Sequence, residues 1–260
     1  MPSRLLLLVL LVATGALSAC RAGFRLNRYP TNEALYQAAL GEFNKKKWVN
    51  AITAFEKLTN DLPARDTLLP RSYWYLAHAH TRQREHLLAA QSYSRLFESF
   101  PDDTLADDAA MEAARSYRRL WRKPSLDPTY GESALATFNA LIGLYPSSEF
   151  VEPARAEILD LEQWFATKNY ETGIFYLRRK AYDSAIIYLR TVVERWPHVP
   201  RARDALLRLA ESFEAIRYHE DFNEVCARLR RDYAGDAEVP RVCAGARPAP
   251  VPGATGPTGP

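Results

Sequence analysis

One spacing constrains this chain more than any other. An alanine is followed at a fixed interval by a proline, from Ala51 to Pro63, and the interval returns as Ala89 to Pro101, Ala134 to Pro146 and Ala185 to Pro197. Within each interval a large apolar residue stands four places after the alanine (Phe55, Tyr93, Phe138, Leu189) and another three places further on (Leu58, Leu96, Leu141, Val192). Steps of four and three keep these side chains on one face of an α-helix. Self-similarity at a fixed period predicts stacked helical hairpins, each too small to bury its apolar face without neighbours. The alanine lets two helices approach closely, the larger side chains fill the groove between them, and the proline stops the second helix. Leu62, Phe100, Tyr145 and Trp196, one before each proline, are placed to pack on the following hairpin.

The first helix of each hairpin is readable too. Gly173 and Tyr176 precede Ala185 and Pro197 at the spacing of the tetratricopeptide (TPR) repeat. The second unit matches with Leu76, Ala77, Ala89, Tyr93 and Pro101, and the first with Leu35, Ala39, Ala51, Phe55 and Pro63. The third unit departs: Lys123, Pro124, Ser125, Leu126, Asp127 and Pro128 lengthen the loop between Trp121 and Tyr130. A fifth unit keeps its apolar places at Leu206, Leu209, Ala210, Phe213, Phe222, Cys226 and Leu229. There Phe222 stands for the alanine and Ala234 for the proline, a decay that suits a terminal capping repeat. Residues 147–179 read as one long helix with Pro153 in its first turn. Helix formers dominate, glycine and methionine are scarce, and no strand-turn-strand pattern occurs. The expected fold is all-α, an α-solenoid of about five TPR hairpins over residues 32–234.

The two ends have a different character. Arg4, an apolar run from Leu5 to Val12 and small residues up to Ala19 have the layout of a cleaved secretory signal, too short to span a bilayer as a permanent helix. Leu17, Ser18, Ala19 and Cys20 resemble a lipobox, so residues 1–19 are expected to be removed and Cys20 acylated. Arg21, where an aspartate resembles an inner-membrane retention signal, favours sorting to the outer membrane. Residues 20–31 read as a lipidated tether carrying Arg25 and Arg28, and residues 235–260, rich in Pro, Ala and Gly, as a disordered tail.

Charge and chemistry narrow the function. With 34 basic and 31 acidic side chains intermixed, the chain offers no dense cationic field for nucleic acid. His78 and His80, two apart on a helix, point to different sides, and no third ligand stands at metal spacing. His219 with Glu220 and Asp221 reads as a solvated cap. No phosphate loop, nucleophile elbow or metalloprotease helix is present, so neither catalysis nor a cofactor is expected. Cys226 and Cys243 either bridge, as an oxidising compartment permits, or stay free thiols. TPR hairpins present their first helices to partner segments. The repeat register places Tyr36, Trp74, His78 and Arg82 there as peptide-contact candidates, with Trp74 as a packing residue the alternative.

A lipobox cysteine, a short tether and five TPR units resemble the family of the outer-membrane protein assembly lipoprotein BamD. The likeness spans roughly residues 32–233. It is closest at Asp127 and Pro128, at Tyr145, Pro146, Ser147, Ser148, Glu149 and Phe150, along the long helix ending near Tyr176, and at Arg203, Asp204, Ala205 and Leu206. The resemblance implies a scaffold lipid-anchored on the periplasmic face of the outer membrane. Its C-terminal repeats would bind the periplasmic domains of the β-barrel insertase, with other assembly lipoproteins as further partners, and its N-terminal repeats would receive unfolded barrel precursors. The Pro-rich tail and polar positions such as Tyr188 depart from the family pattern. The competing reading is another periplasmic TPR adaptor, linked to the Tol-Pal system or cell division. Such adaptors usually carry an N-terminal coiled coil, and no sustained heptads precede Asn32. A TPR domain regulating catalysis is the third, and it has no candidate residues.

Overall fold

The protein's structure is a computed structural model that describes residues 24–247; the signal segment, Cys20 and the tail from 248 onward lie outside the described residues. Eleven α-helices and no strands occur among the described residues. They pair in sequence order: α1 (Asn32–Asn44) with α2 (Trp48–Asp61), α3 (Leu68–Gln83) with α4 (His86–Ser99), and α5 (Ala106–Leu120) with α6 (Thr129–Leu144). The long α7 (Val151–Leu177) follows with α8 (Tyr182–Arg195), then α9 (Pro200–Ala215) with α10 (His219–Asp232), and a short α11 (Glu238–Val242) closes the series. Two compact units divide within α4, one ending at Leu96 and the other beginning at Phe97.

The repeat spacing is the core. All four alanines and all eight larger residues of the Ala-to-Pro intervals are 0% exposed. The first unit packs α2 between α1 and α3; in the second, each helix from α5 to α10 packs on the next, and α7 also touches α9. Small residues mark the closest approaches. A Cβ on Gly173 of α7 would fall 2.7 Å from Cγ of Leu189 on α8, so only glycine admits that contact. Each proline of the pattern follows a helix cap, and Leu62 before Pro63 is already extended at ψ 136°.

Four hairpins turn in the same way. Lys46, Arg84, Lys180 and Arg217 sit at φ between 57° and 63°. The next residue in each case donates its N–H across the helix end, Lys47 to Glu42 O, Glu85 to His80 O, Ala181 to Tyr176 O and Tyr218 to Phe213 O, at 2.9–3.1 Å. That is the Schellman arrangement, usually completed by glycine. Here a cation occupies the strained position, where it also faces the negative end of the helix dipole. Arg84→Gly and Lys180→Gly are each expected to raise stability by about 0.5–1 kcal/mol in urea unfolding, and Lys180→Val to lower it. Weaker glycine variants would mean that the charge outweighs the strain.

Three boundaries differ from the sequence reading. The long helix runs from Val151 to Leu177 instead of 147–179. Ser148 Oγ accepts the N–H of Phe150 at 3.2 Å, which turns the chain before the helix begins. The tether is not featureless: a 3₁₀ turn at Leu26–Arg28 sets the rings of Phe24 and Tyr29 5.6 Å apart, and Thr31 Oγ1 then caps α1 by accepting from Ala34 N. Of the tail expected over 235–260, the described part up to residue 247 instead contains α11, because Val239 and Val242 are buried and Cys243 is joined to Cys226.

Candidate partner-docking surfaces

In the first unit, Trp74, His78 and Arg82 stand four apart on α3 and so share one face. The rings of Trp74 and His78 meet edge to face at 4.5 Å, and both lie edge-on to Tyr93, at 5.5 and 5.6 Å. These two rings cover the fully buried Tyr93 and keep part of their own surface in solvent, while Arg82 is exposed one turn further on. The arrangement offers an aromatic shelf ending in a cation, which suits a peptide carrying an apolar and an acidic side chain.

Tyr36 does not join that face. Only 5% of it is exposed, with its ring 6.0 Å from Phe55 and 6.4 Å from Tyr75. Burial raises its phenol above the usual value, with Tyr75 adding to the effect. As the repeat's inward ring on α1, it packs the hairpin core and is a core residue, not the contact residue that the repeat register predicts. Tyr75, which no repeat position marks, stacks on Phe55 at 5.5 Å and also meets Phe43. His80, on another side of α3 from His78, is buried and bonded to Glu85 at 2.7 Å, tying the α3–α4 turn.

The second unit carries two grooves. A cleft of about 650 Å³ lies between α8, α9 and α10. Leu206, Leu209 and Phe213 line it beneath polar walls where Arg190 meets Asp221 at 3.0 Å and Arg231 meets Asp232 at 2.7 Å. His219 opens α10 in solvent, and Glu220 and Asp221 occupy its first turn, where the helix dipole favours carboxylates. The other groove, about 430 Å³, is bordered by Pro128, Leu135, Phe165, Lys168, Asn169 and Trp196. Phe165 and Trp196 stack in its wall at 5.9 Å, and Lys168 Nζ donates to Leu126 O at 2.9 Å, fastening the long third loop to α7. Apolar rings beside an amide and an ammonium fit an extended peptide segment.

An acidic corner stands at the start of α5. Burial raises the carboxyl of Asp108 above its usual range, and Asp107, Glu149 and Glu112 push it further. Ser148 Oγ donates to Asp107 Oδ2 at 2.7 Å, so the turn before α7 is pinned to α5. Among the described residues no three His, Cys, Asp or Glu side chains form a metal-binding group, and no helix is long and apolar enough to cross a membrane. Nothing in the sequence pointed to either groove, since each is bordered by residues of adjacent repeats, Pro128 with Phe165 in one and Arg190 with Leu206 in the other.

The chain is similar to several known proteins. The model of the YfiO family, described as outer membrane lipoprotein, matches residues 29–229. A protein of Caulobacter vibrioides named outer membrane protein assembly factor BamD is 24% identical over 204 residues, which cover 78% of this chain and 67% of that one. A protein of the same name from Xylella fastidiosa strain Temecula1 is 24% identical over 197 residues, 70% of this chain, and the match spans 65% of its length. Among solved structures, a tetratricopeptide repeat protein from Parabacteroides merdae is 16% identical, with 82% of this chain and 71% of that chain covered and a TM-score of 0.36.

Proposed function

The chain belongs to the YfiO family of outer membrane lipoproteins, and we propose that it is an outer-membrane protein assembly factor. In this reading it is a non-enzymatic scaffold on the periplasmic face, binding the β-barrel insertase, the other assembly lipoproteins and segments of unfolded barrel precursors. The observation that carries the reading is the extent of the family match: residues 29–229 take in the hairpins from just before α1 into the last turn of α10. Precursors are assigned to the α3 face of the first unit and the insertase to the grooves of the second.

The test is depletion of the protein in its own host, with folded outer-membrane barrels followed by their heat-modifiable gel mobility. Folded barrels should fall several-fold while unfolded precursor accumulates. Unchanged barrel levels would reject the proposal, and recovery of division or peptidoglycan proteins alone in a pull-down would redirect it to an adaptor role.

Anchoring is assigned to Cys20 after removal of residues 1–19. Several acyl chains, each CH₂ contributing about 0.8 kcal/mol of partitioning, would make attachment permanent. Cys20→Ala is expected to move the mature protein from the membrane pellet to the soluble periplasmic fraction, and a variant that stays in the pellet would exclude acylation as the anchor. For the precursor surface, Arg82→Ala should weaken binding of unfolded barrel peptides several-fold without moving the urea midpoint. Tyr36→Ala should instead cost about 3 kcal/mol of stability, as truncation of a buried ring does. Titration with fluorescent peptide, paired with urea unfolding, separates the two.

A further inference from the structure

Residues 236–247 run back along the last hairpin and are held there by two kinds of bond. The covalent one joins Cys226 on α10 to Cys243 just past α11, their Cα atoms 5.6 Å apart. Both cysteines are 0% exposed. The rest are polar. Arg203 on α9 donates from Nε to Asp236 Oδ2 at 2.6 Å and from Nη2 to Glu238 Oε1 at 3.0 Å. Arg230 on α10 donates from Nη2 to the carbonyl of Cys243 at 2.7 Å, and the backbone N–H of Arg247 donates to Asn223 Oδ1 at 2.8 Å.

These bonds form two lines. Asn223, Cys226 and Arg230 are three and four apart on α10, so one face of that helix receives the returning strap. Arg203 and Leu207 are four apart on α9, so Leu207, itself 0% exposed, shares the face from which Arg203 holds α11. None of the polar contacts uses sulfur. They grip the strap before Cys243, at its own carbonyl, and after it. The same contacts are therefore available when both cysteines are thiols, and they place Cys243 over Cys226.

We propose that Arg203 and Arg230 are positioning residues for oxidation of the Cys226–Cys243 pair: they seat the strap, and a disulfide donor then locks it. While the strap is open, a thiolate of the pair attacks the donor's disulfide, forming a mixed disulfide and releasing one donor thiol. Seating brings the second cysteine up; its thiolate attacks the mixed disulfide at the protein sulfur, the Cys226–Cys243 bond forms, and the second donor thiol leaves. Two protein thiols are oxidised and the donor disulfide is reduced to two thiols, which carry the two protons. Burial of both sulfurs then slows the reverse attack, which proceeds only while the strap is open.

The experiment uses the full mature chain in detergent, equilibrated in glutathione redox buffers, with free thiols trapped and counted by mass spectrometry. Arg203→Gln and Arg230→Gln should each lower the effective concentration of the two thiols about tenfold, as expected for loss of charge-assisted bonds. Arg203→Lys should recover part of the loss, and Arg190→Gln, on the cleft side, should leave it unchanged. An effective concentration unaltered in Arg203→Gln and Arg230→Gln overturns the proposal. If either arginine variant loses helix signal in circular dichroism, Asp236→Asn, which alters only the strap, decides the matter: a fall supports positioning and no change refutes it.

Discussion

Leucine at Gly131 is expected to lower the unfolding free energy of the second unit by about 3 kcal/mol. A Cβ at this position would lie 2.2 and 2.6 Å from Cε3 and Cζ3 of Trp121, well inside contact distance. The indole cannot swing aside, because it is 1% exposed and confined by Trp164 at 5.5 Å and Phe165 at 4.7 Å. Trp121→Ala alone should cost about 4 kcal/mol through the cavity it opens. Together the two changes should cost less than their sum by at least about 1 kcal/mol, because the leucine grows into the space the indole leaves. Urea unfolding of the two single variants and the double variant measures this; strict additivity would show that the glycine serves something other than the tryptophan.

Removing the bridge with Cys226→Ser and Cys243→Ser should cost about 3 kcal/mol, the loop-closure entropy of a cross-link between residues 17 apart. The loss should appear as a lower urea midpoint for the double variant than for the oxidised chain. Reductant should then have no further effect on the variant. Cleavage by trypsin after Arg241 should accelerate as well, since the strap would depend on its polar contacts alone. Equal midpoints would mean that the bridge holds nothing the rest of the fold does not already hold.

The hairpins were legible in the sequence because their cores obey a local rule: four alanines and the rings and aliphatic chains four and seven places on must share a helix face, and all are buried. Gly173 was legible for the same reason, as the small residue that lets α7 meet Leu189. Tyr36 was misplaced because repeat register tells which helix a residue is on more reliably than which neighbour it meets, and here Tyr75 and Phe55 enclose it. The turns at Lys46, Arg84, Lys180 and Arg217 carry no glycine, so the residue type that usually announces a helix end was missing. The short α11 was hidden by a Pro- and Gly-rich neighbourhood, although Val239 and Val242 stand at helical spacing. The grooves depend on residues brought together across repeats, which no local pattern records.

Helix α7 belongs to two hairpins at once. It packs on α6 at one side and on α8 and α9 at the other, over 27 residues or roughly 40 Å of helix. In a chain of independent repeats, each could melt at its own free energy and pass the loss only to its neighbour. A shared helix removes that freedom. Fraying the third hairpin strips packing from the element that the fourth depends on, so the second unit should exchange its amide hydrogens as one cooperative block. A partner bound at either groove would then steady the other through the folding equilibrium alone, with no change of shape passing between them.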